Sequence, residues 1–248
     1  MENKKVLKGA VDTYSKIGFG ANAYVYQAEY LEGLCACKEF IDPKYVSIIN
    51  DKMLEIGDFY KDYSDKFIFP FKFVYRTRND ENFYAYLMDY YYNYNGLDSI
   101  ELSKKEKLEL IKRARDLVEK LHKDYKILHC DLNSWNFLYN SEKDNLLLSD
   151  FDTAVRFNKE CDLSPRLHSD ICLDYIENNG LDEGVDIFLF NIFTYSLLNN
   201  IDPYSVIFNI NNNKYGEIKS QKAREILNSY KDLKNEKVLK KEYIIDLL

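Results

Sequence analysis

Basic charge is what this sequence lacks. It sets 34 Lys and Arg against 41 Asp and Glu, a formal net charge of −7. A chain without a basic excess has no phosphate-facing surface of the kind nucleic-acid binding needs, although a nucleotide asks only for a few local groups. Glycine and proline are scarce, nine and four in 248 residues, so no long disordered or low-complexity segment is expected. No apolar run is long enough to span a bilayer: IFLFNIFTYSLL at 187–198 is too short and too polar. The opening MENKKVLKGAVDTYSK has no apolar core of a signal peptide. These absences lead to expect a protein that works without nucleic acid or membrane, cytoplasmic or delivered into a host cell. Five scattered cysteines, Cys35, Cys37, Cys130, Cys161 and Cys172, fit neither a disulfide framework nor a zinc site. Cys35 and Cys37 stand two apart, so on a strand they share a face and read as core.

What is present is apolar surface, 46% hydrophobic residues with abundant Tyr and Phe, enough for one large domain or two small lobes. YSKIGFGANAYVYQAEY (14–30) and GLCACKEF (33–40) read as two or three antiparallel strands. Residues 43–63 carry apolar positions at helical intervals behind Pro43, a good first-turn residue. Residues 66–76 and 82–92 look like two more strands. Past Tyr90–Gly96 the character changes. Residues 102–125 predict a helix with a Ser103/Glu106 capping box. FLYNSEKDNLLLSDF reads as a hairpin, 182–198 as a helix apolar all round and therefore buried, and 220–233 as an amphipathic helix. The tail 231–248 reads as a solvated helix closing the lobe, with a partner-binding tail as the alternative.

Three stretches carry candidate chemistry. Gly18-x-Gly20 sits between strands, so a dinucleotide fingerprint, which needs a helix after it, fails; a plain hairpin turn or a hairpin covering a nucleotide's phosphates remains. Lys38, in ACKEF, either points to solvent from an edge strand or needs a carboxylate partner. That partner is Glu55, with Asp58 as the fallback. In ILHCDLNSWNFL, Asp131 and Asn136 stand five apart, and Asp150 follows an apolar strand in LLLSDFD. Singly, Asp and Asn at turns cap backbones; together, two carboxylates and an amide suit a divalent metal held among phosphates, with Asp131 as base for an attacking hydroxyl.

The order of these pieces resembles the protein-kinase family. IGFGANAYVY is similar to its glycine-rich loop, ACK to its strand lysine, YLMDYY to its hinge, HCDLNSWN to its catalytic loop, and DFD to its D-F-G. The likeness runs from about residue 14 to 233. It implies an α+β, bilobal protein kinase-like fold, with a β-rich N-lobe with one helix (1–92) and a mainly helical C-lobe (93–248). It implies ATP and Mg²⁺ as cofactors. Ile17, Gly18, Gly20, Val25, Ala36, Lys38, Met88, Asp89 and Tyr90 would bind the nucleotide, Lys38 positioned by Glu55; Asp131 would be the catalytic Asp; Asn136 and Asp150 would hold the metal. The departures are Ala23 for the third glycine, Asp152 for the last glycine of D-F-G, Cys130 for the Arg before the catalytic Asp, and Asn133 for a Lys two after it. These two catalytic-loop changes are shared with aminoglycoside and choline kinases. The expected function is a minimal Ser/Thr protein kinase acting on a protein hydroxyl; the alternatives are a small-molecule kinase or a pseudokinase binding module.

Overall fold

The structure is a computed structural model that describes residues 5–60, 65–157, 172–173, 175–177, 180–231 and 241–248. Cys161, Ser164, Arg166, Ser169 and most of the stretch 164–177 lie outside the described residues. The chain divides into two compact units, Met1–Asn93 with Ser149–Asp152, and Tyr94–Leu148 with Thr153–Leu248. The α+β class expected from the sequence holds.

The first unit is a six-stranded sheet. Its strands are β1 Lys5–Leu7, β2 Asp12–Phe19, β3 Ala23–Tyr30, β4 Gly33–Phe40, β5 Pro70–Tyr75 and β6 Ala85–Asp89, in the order β1-β5-β6-β4-β3-β2. All neighbours run antiparallel except β1, which pairs with β5 in parallel. No separate signal for β1 stands in the residues; a three-residue edge strand is too short for a period of two to register. Helix α1, Pro43–Ile56, begins where Asp42 accepts from the Lys44 N–H ahead of Pro43, and it buries Val46, Ile49, Asn50, Met53 and Ile56. Its end comes so near β5 that a Cβ on Gly57 would lie 2.9 Å from the Phe73 ring, which is why glycine stands there. The opposite face of the sheet packs Ala28, Cys35, Cys37, Val74, Ala85 and Leu87 into one cluster. Burial pushes the Cys35 thiol up to about 11 and Cys37 to about 12, so both behave as core, as their spacing implied. Phe151 belongs to this unit as well, its ring 4.6 Å from Phe69 and 6.2 Å from Phe67.

The second unit begins with β7 Asn95–Gly96 and continues with helix α2 Lys104–Lys120, which opens on the expected capping box of Ser103 and Glu106. It ends in a π-turn, Leu121–Tyr125, closed by left-handed Lys126. Then come β8 Ile127–Leu128, the hairpin β9 Phe137–Asn140 and β10 Asn145–Leu148, and β11 Val155–Arg156, which pairs with β8. Helix α3, Glu183–Asn199, buries every residue from Gly184 to Leu198, as a helix apolar all round must. Helices α4 Val206–Asn211 and α5 Gln221–Ser229 follow. The described part of the tail closes onto the lobe as expected but is buried there, not solvated. Of its described part, Tyr243, Ile244 and Ile245 are buried, and the Asn191 side chain accepts from the Ile244 N–H and donates to Glu242 O, both at 2.9 Å. Apolar side chains in that segment and a buried amide that needs partners pull it into the core. Among the described residues no helix is long and apolar enough to cross a membrane.

Candidate active site

In the first unit, strand register sets the site. Gly18 pairs with Val25, Val25 with Lys38, and Lys38 with Tyr86; two residues along, Ala36 pairs with Met88. Directly opposed residues share a face, so Gly18, Val25, Ala36, Lys38 and Met88 line one side of the sheet. Asp89 pairs with Cys35 and faces the other side, where its Oδ1 accepts from the Tyr60 hydroxyl at 2.8 Å; toward the Lys38 face it offers only backbone. Tyr90 is half-buried just past β6. The register slips between Lys16 and Gly18, which makes Ile17 the extra residue of a bulge. Gly20 closes the β2–β3 hairpin by donating its N–H to Ala23 O at 2.8 Å. Neither glycine of this hairpin is left-handed, and a Cβ on Gly20 would meet nothing within 4 Å. The fold itself sets no demand for glycine at 20.

Lys38 is 7% exposed. Its Nζ lies 2.6 Å from Asp150 Oδ1 and 2.6 Å from Asp152 Oδ2, so the two carboxylates that hold it come from the DFD segment, where the sequence led to expect Glu55. Glu55 sits half-buried in the last turn of α1, and the fallback Asp58 is exposed. Burial alone would push the Lys38 ammonium down; Asp150 and Asp152 outweigh it and hold its pKa well above the usual lysine value. Burial pushes the Asp152 carboxyl up, with Lys38 pulling the other way. Tyr86 donates its hydroxyl to Asp152 Oδ1 at 3.0 Å, and burial keeps that phenol protonated. Tyr86 was missed from sequence because only the register puts it opposite Lys38.

In the second unit, the loop after β8 is fixed from beneath by Asp186, which has no exposed surface. The N–H groups of His129 and Cys130 donate to its two oxygens at 2.7 Å each, and His122 Nε2 contacts Oδ2 at 2.8 Å. The π-turn presents His122 to it, a use to which such turns are often put; a polar ring next to buried Leu121 was the one signal for it in the sequence. Cys130 is fully buried and left-handed, φ 61°, among Leu128 and Val155. Asp131 is buried. Its carbonyl accepts from Asn136 Nδ2 at 2.8 Å and Asn133 Nδ2 at 3.0 Å, and its Oδ2 lies 3.3 Å from Asn136 Nδ2. Asn133 Oδ1 in turn accepts from the N–H groups of Trp135 and Asn136 at 2.9 and 3.3 Å. Asn133 therefore acts inside the loop as an Asx turn, its amide engaged on the chain itself. Thr153, buried, donates to His129 O at 2.9 Å.

Among the described residues no cluster of three or more His, Cys, Asp or Glu could hold a metal. A lone carboxylate such as that of Asp150 does not suit zinc or copper, which want nitrogen or sulfur. It does suit Mg²⁺, which takes one or two carboxylate oxygens and keeps the rest for water and phosphate. Asp150, with its side chain 31% exposed and already beside a cation, has the chemistry for it.

A family model described as protein kinase domain matches residues 11–248. No curated protein matches the chain. Among solved structures it is similar to the Cydia pomonella granulovirus kinase PK-1, with 17% identity, a TM-score of 0.64, and 91% of this chain and 88% of that one covered. At that identity the likeness is one of fold.

Proposed function

Because the chain belongs to the protein kinase domain family, it is a phosphotransferase, and we propose that it moves the γ-phosphate of ATP, with Mg²⁺, to a serine or threonine hydroxyl of a protein. Gly18, Gly20, Val25, Ala36 and Met88 cover the nucleotide, and backbone groups of Asp89 and Tyr90 meet its base. Lys38 contacts the α- and β-phosphates. Asp150 and Asn136 hold Mg²⁺, which neutralises phosphate charge when bound. Asp131 accepts the proton of the acceptor hydroxyl as its oxygen bonds to the γ-phosphorus. The bond from that phosphorus to the β-phosphate oxygen breaks, and ADP leaves with the electron pair.

The observation that supports this most is the state of Asp131. It is a buried carboxylate in a loop whose backbone is tied to Asp186 and whose carbonyl is tied by two amides. A base held this firmly loses little freedom on reaching its transition state. One observation favours a second reading: with Asn133 engaged inside the loop, no cation stands two residues past Asp131, as in small-molecule kinases. The test is incubation with γ-labelled ATP and Mg²⁺, with casein and histone in one arm and aminoglycosides and choline in the other. Label on serine or threonine supports the first reading, label on a small molecule the second. Bound nucleotide without transfer in either arm would leave a binding module.

A further inference from the structure

The two carboxylates that meet Lys38 differ in access. The Asp150 side chain is 31% exposed and that of Asp152 only 2%. Asp150 can turn to a metal; Asp152 cannot reach one without leaving the interior. Its Oδ1 is held by the Tyr86 hydroxyl at 3.0 Å, and Tyr86 is itself 2% exposed on the strand beside Lys38. Phe151, buried against Phe67 and Phe69, pins the peptide between the two. A buried ammonium needs a partner at all times, because stranding such a charge is among the costliest changes an interior can suffer. If Asp150 were its sole partner, every metal-binding event would strand it.

We propose that Asp152 is the fixed counter-ion of Lys38, a positioning residue that keeps the ammonium in place while Asp150 turns to the metal. What Lys38 then does rests on the phosphotransferase reading above. Asp152 thus fills the part expected of Glu55, from the place where the resemblance has glycine. Its φ is not left-handed, so nothing in the backbone there calls for glycine. The inference divides the DFD segment: the first carboxylate serves the metal, the second serves the lysine, and the phenylalanine anchors both.

The test compares wild type with Lys38→Met, Asp152→Asn and the double variant. Urea unfolding is measured without nucleotide. Asp152→Asn should lower the folding constant roughly tenfold or more in the wild-type background and less than about threefold beside Lys38→Met. Mn²⁺ binding in the presence of ADP, followed by its paramagnetic resonance signal, should agree within about twofold between Lys38→Met and the double variant, since Asp152 acts through the lysine. Additive unfolding effects would overturn the proposal, as would a roughly tenfold loss of Mn²⁺ affinity in the double variant, which would make Asp152 a metal ligand. Should Lys38→Met fail to fold, Lys38→Gln takes its place in the same cycle with Asp152→Asn, and additivity again overturns the idea. A wild-type protein that transfers no phosphate would sink the functional reading and leave the unfolding cycle, which uses no nucleotide, intact.

Discussion

Replacing Asp186 by Asn should loosen the loop that carries Asp131, and the hydrogen bonds set the size of the effect. Oδ2 serves the His129 N–H and His122 Nε2, and Oδ1 serves the Cys130 N–H. Asn offers one oxygen and one NH₂. With its oxygen on the Oδ2 side, the NH₂ confronts the Cys130 N–H, donor against donor; flipped, it confronts the other pair. One buried N–H left unsatisfied costs about 1–3 kcal/mol, and losing the charge behind the surviving bonds adds about 1 kcal/mol. The expected loss is about 2–4 kcal/mol, a large part of the ~5–15 kcal/mol that holds a domain together. Turnover, measured where the variant is still folded, should fall with it, because the freed N–H adjoins Asp131. Burial would push the Asp186 carboxyl up, but the hydrogen bond and charge of His122, with the His129 contacts, hold it below the usual range. A carboxyl depressed in the folded state contributes stability above its unfolded value, about 4, and loses it as pH falls through the folded value. The gap between wild type and variant should therefore be full at pH 6 and narrow below pH ~4. Urea titrations of both proteins across that range are the assay. A gap under about 0.5 kcal/mol at neutral pH, or one that widens in acid, would refute the reasoning.

Asp150→Ala should abolish transfer while the protein stays folded, since Lys38 keeps Asp152; near-normal turnover in a folded variant would remove Asp150 from the metal. Asn133→Ala deletes one donated and two accepted hydrogen bonds. It should cost about 2 kcal/mol and lower kcat at least about tenfold with little change in KM for ATP, read by urea titration and steady-state kinetics. Cys130→Arg would place a guanidinium at a fully buried, left-handed position and should destabilise by more than about 3 kcal/mol. A phosphate switch through residue 130 is closed to this chain, so phosphatase treatment should leave turnover within about twofold. Thr153, whose hydroxyl is buried on His129 O, should take up no phosphate in the folded protein, which phosphopeptide mapping would check.

Local order was written in local residues. The Ser103/Glu106 box, Pro43 at the head of α1 and the all-apolar face of α3 each depend on side chains within a turn or two of one another, so their spacing in the sequence is enough. The order of the glycine hairpin, ACK, HCDLNSWN and DFD likewise stands in the chain itself, and with it the family. What the sequence left open were the partners. Lys38 reaches Asp150 across 112 positions, and its neighbour Tyr86 is set by a strand register that a slip of one residue would turn to the other face. Glu55 was expected because it stands in the one helix of this half of the chain; the packing of Phe151 on Phe69 brought another carboxylate into place. The amide of Asn133 could have met a ligand or the backbone, and only the closed loop around Asp131 shows it turned inward. Periodicity and capping act over a few residues and can be read in a line of letters. The counter-ion of a buried charge is chosen by which distant segments share a core, and the tertiary structure alone decides that.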